Sequence, residues 1–245
     1  MVVNKKSKSS KNLRLIKDKQ KRSERVSTGI EYLDKLIEGG FEKNSTNLVI
    51  GDTGSGKTIF GVQFLLEGIK KKEKGLFITF EETKKEFYEN MKNLGFDLEK
   101  LKEDFYFLEY SPEKVKTMIE EGGGAIETLI IDKKIKRVVI DSMNSFGLLF
   151  QNDLEKKEAL ISLFRMLKKW DCTVLLIYGK SEESKGDYDI IELESDSIID
   201  LHYVREGKER KRYMEIIKMR GTKHPFKMYY FVVEKGGIKI IKEKD

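Results

Sequence analysis

One glycine-rich octapeptide constrains the fold of this chain more than any other feature of its sequence. Residues 51–58 read GDTGSGKT and match the pattern G-x-x-x-x-G-K-[ST] in full. The octapeptide follows TNLVI, an apolar run typical of a buried strand, and precedes a run with helical periodicity. A strand, a glycine-rich loop and a helix in this order predict the P-loop of a nucleotide-binding α/β fold.

The residue types of the octapeptide predict how it binds phosphate. Gly51, Gly54 and Gly56 allow the backbone to approach the phosphates closely, so that successive N–H groups form an anion-binding nest. Lys57 is predicted to reach the β- and γ-phosphates as a catalytic residue, and the Thr58 hydroxyl to coordinate Mg²⁺. The predicted nucleotide-binding residues are Gly51, Asp52, Thr53, Gly54, Ser55, Gly56, Lys57, Thr58 and Ile59.

Three carboxylates are candidates for the chemistry around the phosphates. Asp141 ends the apolar run RVVID and is predicted to accept a hydrogen bond from Thr58 or from a water on Mg²⁺; alternatively, it caps the segment that follows. Glu81 and Glu82 follow LFITF, at the strand end where open α/β sheets hold their ligands. Adjacent residues leaving a strand point in opposite directions, so Glu81 is predicted as the base and Glu82 as its support. The alternative for both is a capping or surface pair.

Strand-like and helical runs alternate along most of the chain. GLFITF, FYFLEY, RVVID and CTVLLIY are each separated by helical runs, which predicts a mostly parallel sheet covered on both faces. A short helix capped by Ser27 or Thr28 is expected before the first strand. Residues 181–194 are predicted as a loop, and SIIDLHYV, KRYMEIIKM, KMYYFVVE and GIKII as an antiparallel extension of the sheet.

The basic excess of the chain lies at its N-terminus. The net charge is +6, yet residues 1–25 carry ten Lys or Arg against two acids, which leaves the remainder at −2. We therefore expect a flexible basic tail over 1–25 and one domain over 26–245. The tail is either a solubilising arm or a docking arm for nucleic acid, a partner or a neighbouring subunit. The single cysteine, Cys172, and the absence of a long apolar run lead us to expect a cytoplasmic protein with no membrane span.

Five blocks of the sequence resemble the KaiC-like ATPases of the RecA superfamily. RVSTGIEYLDKLIEGGF, GDTGSGKT, FITFEET, RVVIDS and IIKMRGTKH occur in the order found in that family. The resemblance implies a RecA-like core in rings, commonly hexamers, with ATP between subunits. It places Glu81 and Glu82 on the paired catalytic acids of the family. It also implies that Lys218 and Arg220 reach the γ-phosphate of the neighbouring subunit, although the sequence by itself favours solvated charges at a sheet edge.

These observations favour an Mg²⁺-dependent ATPase whose slow hydrolysis depends on assembly into homo-oligomeric rings, and which signals its nucleotide state to an unknown protein partner. One alternative is a DNA-binding recombinase-like ATPase, which the near-neutral body of the chain disfavours. Another is an ATP switch without hydrolysis. Autokinase activity is not expected, because no phosphorylatable pair of residues matches the autokinase segment of the circadian clock proteins in the KaiC-like family. His202 is expected as a packed or partly exposed strand residue and not as a ligand. His224 is expected to finish the turn before Pro225, with a nucleotide contact as the alternative.

Overall fold

The computed structural model describes residues 24–111, 114, 117, 124–147, 149–150, 152–180 and 185–242. The strands in this part of the chain are β1 (Arg25–Val26), β2 (Phe41–Glu42), β3 (Thr46–Gly51), β4 (Lys74–Thr79), β5 (Phe105–Glu109), β6 (Ile135–Asp141), β7 (Thr173–Gly179), β8 (Ser197–Glu206), β9 (Glu209–Met219), β10 (Tyr229–Glu234) and β11 (Gly237–Ile240). The helices are α1 (Glu31–Leu36), α2 (Lys57–Lys70), α3 (Lys84–Asn93), α4 (Gly124–Lys133), α5 (Asn144–Gly147), α6 (Asp153–Lys169) and α7 (Lys185–Glu194), with a 3-10 turn at Leu98–Leu101.

Nine of the strands form one twisted sheet in the order β11-β10-β9-β8-β3-β7-β6-β4-β5. The strands from β8 to β5 in this order are parallel to one another, and β9, β10 and β11 continue the sheet in antiparallel fashion. The predicted α/β class, with a RecA-like P-loop core, a mostly parallel sheet and an antiparallel C-terminal extension, is confirmed. One detail differs: β8 pairs in parallel with β3, so the antiparallel part begins at β9.

The sheet buries both of its faces because alternate strand residues point in opposite directions. On one face, Val49 and Ile177 join a cluster that includes Phe60 and Phe64 of α2. On the other face, Leu48 packs in a cluster with residues of α4, α6 and α7. Burying one such large apolar side chain contributes about 1.5–3 kcal/mol, so these two clusters hold the helices on the sheet.

The predicted loop over 181–194 is wrong for its second part, which forms helix α7. Ile191 of this helix is buried against the sheet. The last carbonyls of the helix accept hydrogen bonds from the side chain of Lys218, in β9, and from that of Arg220, which follows β9. These stabilising contacts come from residues more than 20 positions away, which explains why the local composition does not reveal the helix. Residues 181–184 lie outside the described part.

The first predicted helix begins later than expected, at Glu31, and has Ile30 at its N-cap without a side-chain cap. The Thr28 hydroxyl instead accepts a hydrogen bond from the Ile30 amide, while the Asp34 carboxylate accepts one from the Thr28 amide. Thr28 is therefore used in the turn before the helix and does not cap it, and neither does Ser27. The helical run between FYFLEY and RVVID is predicted over 112–134, with a break at Gly122–Gly124. A helix is observed there from Gly124, and most of the earlier part of the run lies outside the described residues.

Residues 1–23, most of the predicted basic tail, lie outside the described part of the chain. Arg25 belongs to β1, where it pairs with Glu42 of β2, and its guanidinium donates to Thr222. None of the described helices combines the length and the apolar character that crossing a membrane requires.

Candidate active site

The glycine-rich loop connects the end of β3 to the start of α2, and two of its glycines are required by their surroundings. A Cβ atom on Gly51 would lie 2.3 Å from the carbonyl oxygen of Leu201 on the neighbouring strand β8. Gly56 has a φ of 108°, in the left-handed region that disfavours residues with a Cβ. The sequence folds into this loop because glycine stands at both positions.

Helix α2 begins without any acceptor from a side chain. Gly56 occupies its N-cap, no side chain caps its first amides, and its first turn contains no acidic residue. The hydroxyl of Ser55 is buried in the loop and has no hydrogen-bond partner among the described residues. Unsatisfied amide groups and the positive end of the helix dipole make this terminus suited to an anion such as phosphate.

Lys57 lies at this helix start with its ammonium turned back over the loop. Its Nζ donates to the carbonyl oxygens of Gly51 and Asp52, both at 2.9 Å. Burial lowers the pKa of Lys57, and the carboxylates of Asp141, Asp52 and Glu81 oppose that change. The ammonium thus lies over the loop, where a phosphate-binding lysine is needed.

Thr58 and Asp141 meet where α2 starts and β6 ends. The Thr58 hydroxyl donates to Oδ2 of Asp141 at 2.7 Å, which is one of the two predicted contacts of this carboxylate. Burial, with a smaller contribution from the charge of Glu81, raises the pKa of Asp141 to about 6 against the opposing effects of the Thr58 hydrogen bond and of Lys57. A hydroxyl and a buried carboxylate are oxygen ligands of the kind that Mg²⁺ prefers, so these residues fit the cation.

Glu81 and Glu82 leave the end of β4 in different directions. Oε1 of Glu81 accepts hydrogen bonds from the hydroxyls of Ser142 (2.8 Å) and Ser145 (3.0 Å), which follow Asp141 in the chain. Oε2 of Glu82 is buried without a partner among the described residues, and burial followed by the charge of Glu81 raises the pKa of Glu82. Glu81 is therefore the one that is held beside Asp141, and Glu82 has a buried carboxylate oxygen to which no described residue donates a hydrogen bond.

Lys218 and Arg220 lie far from the loop of their own chain. The Lys218 ammonium donates to the Glu192 carbonyl at 2.7 Å, and the Arg220 guanidinium donates to the Leu193 carbonyl at 2.6 Å. Both cations thus neutralise the negative C-terminal end of α7. The structure does not bring them together with the other predicted site residues.

Four contacts at the site were not predicted from the sequence. Ser142 and Ser145 bond to Glu81, although only their proximity to Asp141 in the chain could have indicated this. Arg212 of β9 donates from Nε to the Gly54 carbonyl at 3.1 Å, and its guanidinium lies 4.6 Å from the ring centre of Tyr203. The pairing of β8 with β9 brings Tyr203 and Arg212 to the loop, and no local motif in the sequence indicates such a pairing.

Comparison with known proteins identifies the family. The family model described as the KaiC ATPase matches residues 26–245. The circadian clock oscillator protein KaiC of Synechococcus elongatus is 34% identical over 228 residues, which cover 88% of this chain and 44% of that protein. Its counterpart in Parathermosynechococcus lividus is 33% identical, with 87% of this chain and 41% of that protein covered. The chain thus spans less than half of the length of these two relatives.

A solved structure resembles the whole fold. The KaiC-like protein of the hyperthermophilic archaeon Pyrococcus horikoshii OT3 superposes with a TM-score of 0.79 at 31% sequence identity. The match covers 90% of this chain and 100% of that one. The chain belongs to the KaiC ATPase family of the RecA superfamily.

Proposed function

We propose that this chain hydrolyses ATP with Mg²⁺ in a homo-oligomeric ring, commonly a hexamer, in which each site is completed by the neighbouring subunit. One observation carries the proposal: the loop, Asp141 and Glu81 lie at one end of the strands, and the two basic residues lie at the other. Membership of an ATPase family supports the reaction type.

The residues of one chain supply most of the chemistry. The amides at the start of α2 and the ammonium of Lys57 bind the phosphates, and Thr58 with Asp141 would hold Mg²⁺, which when bound would neutralise negative charge on the phosphates. Glu81 orients the attacking water and accepts its proton, because two serine hydroxyls hold its carboxylate in place. Glu82 supports this carboxylate from its partly buried position.

The register of the strands supports a role for Lys218 and Arg220 toward another chain. Met219 pairs with Ser197, which pairs with Asn47 near the start of β3, whereas the loop begins at the end of β3. The two ends of β3 are separated by about 16 Å along the strand. The Arg220 side chain is 48% exposed, so a neighbouring chain can approach it. A head-to-tail contact of this kind closes into a ring when its rotation allows.

A mixing experiment tests shared sites directly. Glu81→Gln removes the base and keeps the basic residues, while Arg220→Ala does the reverse, so each variant alone is expected to lose hydrolysis. In a random equimolar mixture about a quarter of the sites combine an intact base with an intact arginine, and the mixture should recover activity accordingly. Glu81→Gln mixed with Lys57→Ala is the matched control, because both changes damage the same half of the site.

Recovery of ATP hydrolysis in the mixture of Glu81→Gln with Arg220→Ala, and none in the mixture of Glu81→Gln with Lys57→Ala, supports the proposal. If Arg220→Ala alone hydrolyses ATP at the wild-type rate, the site is complete within one chain. A rate per wild-type chain that rises steeply with protein concentration supports the same assembly, and slow turnover is expected when the subunits are separate.

We also propose that a protein partner recognises the nucleotide state. Ser142 and Ser145 connect Glu81 to the short helix α5, so a change around the phosphates alters contacts at the start of this segment. Hydrogen exchange of residues 142–147 should therefore differ between the ATP and ADP states. Equal exchange in both states would refute a signal through this segment.

A further inference from the structure

A second cluster of polar side chains lies on the strand pair β8–β9, on the sheet face opposite to α2. Asp200 and His202 are two residues apart on β8, so both point to the face that carries Ile198. Glu215 of β9 lies directly opposite Asp200. We call Asp200, His202 and Glu215 the strand-pair cluster.

The cluster has the spacing of metal ligands. Nε2 of His202 lies 2.9 Å from Oε2 of Glu215 and 3.4 Å from Oδ2 of Asp200, and the three atoms lie within 4.8 Å of one another. Ligands at about 2.1 Å from a cation are about 3.0 Å apart in octahedral and about 3.4 Å apart in tetrahedral geometry. Two of the three separations therefore need little adjustment to enclose a cation.

The two carboxylates of the cluster favour the binding of a cation. Asp200 and Glu215 are like charges placed directly opposite each other on neighbouring strands, an arrangement that destabilises a sheet. The Asp200 side chain is only 7% exposed, and its Oδ1 is buried with no hydrogen-bond partner in the described part of the chain. A buried carboxylate oxygen without a partner is costly, so the surrounding residues leave the Asp200 carboxylate only partly satisfied.

The ammonium of Lys180 now pairs with this carboxylate. Its Nζ lies 2.5 Å from Oδ2 of Asp200, at the point where the chain leaves β7. The Lys180 side chain is 37% exposed, so it can turn to solvent when another cation takes its place. Lysine and a metal ion would then compete for the same oxygen.

We propose that the strand-pair cluster binds a divalent transition-metal ion such as Zn²⁺, with displacement of Lys180. Imidazole together with carboxylates favours this class of ion over Mg²⁺, which prefers oxygen ligands alone. The site is separate from Thr58 and Asp141, because α2 packs on the opposite face of the sheet.

Metal binding to the full chain, stripped with a chelator and free of nucleotide, tests this proposal. Co²⁺ gives a visible spectrum that reports imidazole ligation, and Zn²⁺ is measured by calorimetry and by competition with Co²⁺. We expect one saturable site in the wild-type protein and its loss in His202→Gln and in Glu215→Gln. The chain has only two histidines, so His224→Gln is the matched control and should bind as the wild type does.

Lys180→Met provides the decisive variant, because it keeps all three ligands and removes the competing ammonium. It should bind Zn²⁺ about tenfold more tightly, which is equivalent to about 1.4 kcal/mol. It also keeps the test valid if a ligand variant fails to fold, which circular dichroism would reveal.

Three results would overturn the proposal: no saturable binding by the wild type, binding that survives His202→Gln, or weaker binding by Lys180→Met. Since the measurement uses no ATP, its failure is independent of the proposed hydrolysis.

Discussion

The carboxyl group of Asp141 is expected to lower the stability of the nucleotide-free protein whenever it is charged. Its pKa rises from an ordinary value of 3.8 to about 6, chiefly because the group is buried. This rise corresponds to a preference of the folded state for the protonated form of up to about 3 kcal/mol. The contribution of Asp141 to the free energy of unfolding should therefore fall by up to that amount as the pH rises from below about 4 to above about 6.

Asp141→Asn removes the charge and keeps an oxygen that can accept the hydrogen bond from Thr58. We expect the variant to be more stable than the wild type by about 1–3 kcal/mol at pH 7.5, and by almost nothing at pH 4, where Asp141 is protonated. Mg²⁺–ATP should reverse the order at pH 7.5, because the variant lacks the carboxylate that holds the cation. Asp141 would then lower stability in exchange for cation binding.

Urea unfolding between pH 4 and 8, without nucleotide, measures this difference. Asp132→Asn, a substitution of an exposed acid, is the control and should follow the wild type at every pH. An Asp141→Asn protein that is no more stable than the wild type at pH 7.5, with the same denaturant dependence, would refute the reasoning. A difference that does not change with pH would refute it as well.

Two further predictions concern a buried arginine of the core and the two hydroxyls that hold Glu81. Arg137 is 1% exposed and donates to a carboxylate and to two backbone carbonyls, so Arg137→Met should lower the free energy of unfolding by about 2–4 kcal/mol. Chemical denaturation checks this value, and Arg165→Met, at an exposed position, should change it little. Removing both hydroxyls that hold Glu81, in the double variant Ser142→Ala and Ser145→Ala, should lower kcat for ATP about tenfold and leave KM unchanged. Steady-state kinetics separates the two parameters, and an increase in KM alone would contradict a positioning role.

The contiguous parts of the fold and the site could be predicted from the sequence. The loop at 51–58 is readable because its chemistry depends on residues that are adjacent in the chain. The apolar strands that end at Asp141 and before Glu81 could be predicted as well, since the residues of each run indicate by themselves that it is a strand and where it ends.

The parts that could not be predicted depend on distant residues. Helix α7 is stabilised by Lys218, Arg220 and the buried Ile191, which a local reading of a polar segment does not bring together. His202 lies in a strand and is partly exposed, as expected, but its contact with Glu215 of β9 could not be predicted, because that neighbour becomes visible only once the strand register is known. Register joins residues across strands, and the alternation of side chains along one strand does not determine it.

The role of Glu81 as the base is tested by ATP hydrolysis with Mg²⁺ in the wild-type protein and in Glu81→Gln, with nucleotide binding measured on the same samples. We expect both proteins to bind ATP and the substitution to lower the hydrolysis rate by about 10²-fold or more. Equal hydrolysis by both proteins would show that Glu81 is not the base, and a wild-type protein that binds ATP without hydrolysing it at any concentration would contradict the proposed reaction.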